Sequence, residues 1–116
     1  MTAIKLAVAL SLFVSTATVA LAHAKKGKST PAEGATVKAV EKIEIGFSMP
    51  MRVTSVKLLS GETELPIKRD VGMEAVKEFT GAPEAPLAPG AYTIEWKGMG
   101  PDGHVMEGDI DFTVAD

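Results

Sequence analysis

From residue 43 onward, apolar and polar residues alternate in short runs bounded by Gly, Pro and Ser, which is the pattern of half-buried strands. Ile43, Ile45 and Phe47 share one face of such a run. Residues 53–59 form a second, rich in β-branched side chains, and Ser60-Gly61-Glu62 follows as a turn. Leu65-Pro66-Ile67 carries a proline and reads as an edge piece at best. Residues 75–80 fit strand or helix equally well. Pro83, Pro86 and Pro89-Gly90 mark a loop, and the last pair turns the chain into residues 91–96, where Tyr92, Ile94 and Trp96 share a face. In the final strand Ile110, Phe112 and Val114 point one way and Asp109, Asp111 and Thr113 the other. Between these two strands, residues 97–107 are polar and glycine-rich and read as a hairpin or crossing loop. No internal repeat is present. These runs predict an all-β, Ig-like sandwich of about seven strands.

The N-terminal segment follows a different pattern. Lys5 is the only charge in residues 1–22, and an uncharged run follows it to Ala20-Leu21-Ala22. A basic start, an apolar stretch and a small-x-small end make a secretory signal peptide. The expected domain organisation is therefore a cleaved signal over residues 1–22 and one domain over residues 23–116. Removing 22 residues from 116 leaves 94, enough for one small core, with His23 first. The loss of Lys5 takes the net charge from −3 to −4. The destination is extracytoplasmic, periplasmic in a two-membrane cell.

Composition then narrows the chemistry. A mildly acidic chain with thinly spread Lys and Arg does not suit nucleic acid. Zero cysteines exclude disulfides, thiolate zinc sites, iron–sulfur clusters, a Cys nucleophile and a blue-copper centre. Any site must use nitrogen, oxygen or thioether donors.

His23 and His104 are the only histidines. A mature N-terminal His offers two nitrogens, its α-amine and its imidazole Nδ1, which close a six-membered chelate ring on a metal. Both have ordinary pKa values near ~6.5–8, so a metal displaces few protons at neutral pH. His104 lies in Asp102-Gly103-His104, where a glycine-centred turn lets a carboxylate and an imidazole converge. The amine, two imidazoles and Asp102 form an N₃O set that suits tetragonal Cu(II).

On these residues the sequence resembles the CopC copper-binding proteins. The similarity rests on His23, on Ser29-Thr30-Pro31-Ala32-Glu33-Gly34-Ala35 and on Ile43-Glu44-Ile45-Gly46-Phe47-Ser48. It continues in the closing stretch: residues 92–96, Asp102-Gly103-His104 and residues 108–114. Residues 60–90 match least. The resemblance implies a cupredoxin-like Greek-key β-sandwich or barrel. It also implies a periplasmic copper-handling or copper-resistance role, with Cu(II) held by His23, Asp102 and His104. An inner-membrane copper transporter is the implied partner, and the mature protein is expected to be a soluble monomer.

Two departures from the family pattern matter. Met49 stands where many members have a glutamate, so a thioether replaces a carboxylate. Residues 60–90 hold only Met73 and no histidine, so a Met- and His-rich Cu(I) loop is not expected. The chain thus looks like a single-site, Cu(II)-type member. Met49, Met51, Met73, Met99 and Met106 read first as gap-fillers. Met49 and Met51 flank Pro50, Met99 and Met106 bracket the Asp102-Gly103-His104 loop, and these four are candidates to pack around the site, with none assigned as a ligand. Trp96 reads as a core aromatic, and Glu33, Glu107 and Asp109 as solvated charges.

Three functions compete at this point. The first is a non-enzymatic Cu(II) carrier or buffer. The second is an oxidative enzyme, because an N-terminal His with a second His resembles a copper brace. The third is a structural sandwich with incidental histidines.

Overall fold

Strand β3 (Ile43–Ser60) organises the molecule, a computed structural model that describes residues 26–116. The two runs expected at 43–47 and 53–59 are one continuous strand. Around it stand β1 (Lys26–Thr30), β2 (Ala35–Val37), β4 (Thr63–Leu65), β5 (Ile67–Arg69), β6 (Ala75–Pro83), β7 (Gly90–Met99) and β8 (Val105–Val114). No helix occurs among the described residues, and the eight strands form one curled, sandwich-like sheet in which six follow the order β2-β8-β7-β3-β6-β5 while β1 and β4 pair β3 off this path. The all-β expectation holds.

β3 changes partners along its length. Its first half pairs β1 through Ile45↔Ser29 and β6 through Ile45↔Phe79. Its second half pairs β7 from Arg52↔Met99 to Leu59↔Thr93, and β4 at Leu58↔Leu65. The change falls at Met49-Pro50-Met51. There the β6 ladder breaks register between Gly46 and Met51, because Pro50 has no N–H to donate. A bulge between Val53 and Ser55 then shifts the alternation, so that Leu58 joins the inward face with Val53.

The inward residues make one core: Ile43, Ile45, Phe47, Met51, Val53, Leu58, Phe79, Tyr92, Ile94, Trp96, Ile110, Phe112 and Val114 are all buried. Burying each large side chain contributes roughly 1.5–3 kcal/mol. Trp96 meets Phe47 edge to face at 5.2 Å, and Tyr92 stacks on Phe112 at 5.5 Å. The Tyr92 hydroxyl donates to the Ala88 carbonyl, tying the Pro89-Gly90 turn to the core.

Several local expectations change. Residues 97–107 are mostly strand, since β7 and β8 pair as far as Met99↔Val105 and leave a five-residue loop, 100–104. Gly98 and Gly108 sit inside strands because their neighbours need the room. A Cβ on Gly98 would stand 2.7 Å from Met51 Cγ, and one on Gly108 2.8 Å from Trp96 Nε1. Residues 75–80 are strand, and β6 extends through Pro83, which pairs Ile67. Pro66 separates two short strands rather than sitting within one edge strand. Glu33 is no idle charge: its Oε2 accepts the Asp111 N–H at 3.0 Å, beside the parallel β2–β8 pairing.

Candidate metal centre

The end of the β7–β8 hairpin is built by local turn chemistry. Gly100, Pro101, Asp102 and Gly103 form a β-turn closed by the Gly103 N–H to the Gly100 carbonyl at 3.0 Å. Pro101 supplies the fixed φ that its second position favours. Gly103 takes φ 82°, a left-handed conformation that glycine adopts without strain, and the Gly100 N–H then donates to the His104 carbonyl at 3.0 Å.

This turn brings Asp102 and His104 together. Asp102 Oδ1 accepts the His104 backbone N–H at 3.1 Å, and Oδ2 lies 2.7 Å from His104 Nδ1. Hydrogen bonds from the His104 side chain, then from its backbone, hold the Asp102 carboxyl below its ordinary 3.8. Both side chains are open to solvent, 79% for His104 and 56% for Asp102. The spacing suits two roles. It is a strong hydrogen bond, and it is also close to the ~2.8 Å that separates two donors bound at right angles, each about 2.0 Å from one ion.

His23, the third expected ligand, lies outside the described residues, as does the expected signal segment. Among the described residues no group of three or more His, Cys, Asp or Glu side chains could hold a metal. Of the expected ligands, the described residues include Asp102 and His104, and these two stand together.

The methionines separate by strand face. Met51 is fully buried in the core. Met73 and Met99 are exposed, and Met99 is on the outer face of β7 opposite Val105. Met49 and Met106 are half-buried beneath the loop. The Met49 Sδ and the Met106 methyl each lie 3.8 Å from the position a Gly100 Cβ would take, and Asp102 Oδ1 lies 3.2 Å from that same position. Sequence spacing put Met99 and Met106 on either side of the loop, but only the β3–β7 register brings Met49 there. Trp96 is buried as expected, and its Nε1–H has no hydrogen-bond partner among the described residues. The larger surface groove, lined by Lys57, Glu95, Lys97, Glu107 and Asp109 among others, contains neither Asp102 nor His104.

Comparison with known proteins agrees with this architecture. A CopC domain model matches residues 27–115. Copper resistance protein C of Escherichia coli is 30% identical over 113 residues, covering 89% of this chain and 90% of that protein. Copper resistance protein C of Pseudomonas syringae pv. tomato is 31% identical over 107 residues, covering 83% of each. Among solved structures, selenomethionine PcoC, a copper resistance protein from E. coli, superposes with a TM-score of 0.64 at 27% identity. It covers 78% of this chain and 98% of that one. CopC from Methylosinus trichosporium OB3b superposes with a TM-score of 0.68 at 20% identity, covering 78% and 92%, and attests the shared fold.

Proposed function

The chain belongs to the CopC family, and from that premise we propose that it is a non-enzymatic periplasmic copper carrier or buffer in copper resistance. It holds one Cu(II) and delivers it to, or withholds it from, an inner-membrane copper transporter. The ligands are the α-amine and imidazole of His23, the Asp102 carboxylate and the His104 imidazole, once the signal peptide over residues 1–22 is removed.

One observation carries the reading. Asp102 Oδ2 and His104 Nδ1 stand 2.7 Å apart and open to solvent in a turn that preorganises both. The strand register adds reach. β1 begins at Lys26 opposite Phe47, on the stretch of β3 that leads to Arg52↔Met99 and the loop. His23 is three residues before Lys26, and three extended residues span at most about 10 Å. Nitrogen and oxygen donors in this number suit Cu(II), and a chain without cysteine carries no thiol to reduce it.

The test uses the chain beginning at His23. Titrated Cu(II) should bind at one equivalent and quench Trp96, the single tryptophan. His23→Ala should abolish tight binding. One extra residue before His23 should weaken it steeply, because the amine becomes a peptide nitrogen. Binding that is indifferent to both changes overturns the ligand set. The mass of the secreted protein fixes the cleavage point independently.

A further inference from the structure

We propose that Met49, Met106 and His104 form a soft-donor face of the same centre, so that one loop accepts Cu(I) as well as Cu(II). The proposal takes its cargo from the copper-carrier reading but does not need His23.

Strand geometry places the two thioethers. Ile43, Ile45, Phe47, Met51 and Val53 are inward residues of β3, and Met49 falls in phase with them. Along β8 the inward series is Val114, Phe112 and Ile110, and Met106 falls in phase with it beyond Gly108. Met106 thus lies where the inward face of β8 reaches the rim, and Met49 is the half-buried position between buried Phe47 and Met51. Between them stands Gly100, itself buried and without a side chain. The Met49 sulfur, the Met106 methyl and the Asp102 carboxylate oxygen all lie within 3.8 Å of the point its Cβ would occupy. Asp102 in turn holds the His104 ring at 2.7 Å. The Met49 sulfur and the Met106 side chain therefore meet over Gly100, next to the carboxylate that bonds the His104 ring.

The chemistry of that set differs from the nitrogen–oxygen face. Thioethers are soft donors that select Cu(I), and imidazole serves copper in either state. A methionine side chain has three rotatable bonds, so its sulfur can turn toward an ion without backbone movement. A gap-filling role alone would need the volume of these side chains and not their sulfur, so a substitution that keeps volume separates the two. Met51 and Met99 provide internal controls, the first sealed in the core and the second facing away on β7.

The experiment uses Ag(I), a redox-silent soft ion, on the chain beginning at His23 with isotope-labelled methionine methyls. One equivalent should shift the methyl resonances of Met49 and Met106 and the ring protons of His104, leaving Met51, Met73 and Met99 in place. The double variant Met49→Leu with Met106→Leu should weaken Cu(I) binding, measured against a Cu(I)-selective chelator, by roughly tenfold or more. Cu(II) affinity should change little. Gly100→Ala, which puts a methyl where these side chains meet, should act in the same direction. Shifts at Met73 or Met99 instead, or Cu(I) affinity unaltered in the double variant, overturn the proposal. If Ag(I) shifts nothing while one Cu(II) still binds, the soft face fails and the Cu(II) reading stands. The reverse result supports the soft face and overturns the Cu(II) site.

Discussion

Trp96 and Gly108 pair across the β7–β8 ladder, and the glycine's missing side chain is the space the indole occupies. A methyl there would stand 2.8 Å from Nε1 and 3.0 Å from Cε2 and Cζ2. The indole cannot retreat, because it is 1% exposed and wedged against Phe47. Gly108→Ala should therefore destabilise the protein by about 1–3 kcal/mol through overpacking. Urea unfolding followed by Trp96 emission measures it, and a midpoint equal to the parent's would contradict the close packing.

The Asp102 carboxyl should titrate below 3.8, because the His104 side-chain hydrogen bond favours its ionised form. The sign follows from linkage. A depressed carboxyl stabilises the folded turn above its ordinary value, and that contribution disappears as pH falls through the depressed value. Carboxyl-detected NMR on the parent and on His104→Ala tests it. The variant should return Asp102 toward 3.8, and a midpoint unaffected by the substitution would show that the contact does not set it.

Arg69 ties the 69–72 segment to the body of the fold. Its guanidinium donates to the carbonyls of Val53 at 2.7 Å, Gly72 at 3.1 Å and Val71 at 3.3 Å, and lies 5.2 Å from the centre of the Phe79 ring. Lysine cannot reproduce a planar fork with several fixed donors. Arg69→Lys should cost about 1–3 kcal/mol and speed amide exchange in this segment. Exchange rates equal to the parent's would refute the anchoring role.

Glu33 should matter more than an exposed acid usually does. Its carboxylate caps the Asp111 N–H where the three-residue β2 joins β8. Glu33→Ala should cost roughly 1 kcal/mol and expose the Asp111 amide to exchange, while Glu33→Gln, which keeps an acceptor, should retain most of the protection. Equal protection in both variants would remove the cap from the account.

The strands from 43 to 47, 91 to 96 and 110 to 114 were legible in the sequence because alternation is a local property of a pleated chain with one buried face. The Asp102 and His104 pairing was legible for a similar reason, since two residues across one glycine are held by a single turn. Glycine and proline were harder to read. Gly98 falls in the loop expected over residues 97–107, because a sequence does not distinguish a glycine that turns the chain from one that yields to a neighbour. Pro50 likewise gives no sign that the strand continues through it while changing partners.

What the sequence determined by itself was the all-β class, the faces of its clearest strands and the donor atoms offered by Asp102 and His104. The tertiary structure decided that Met49, 53 positions before Asp102 in the chain, stands with Met106 around Gly100 beside that pair. The reason is physical: alternation is fixed by neighbours in the chain, whereas the register of β3 on β7 is fixed by how the two faces pack, and no local pattern carries that distance.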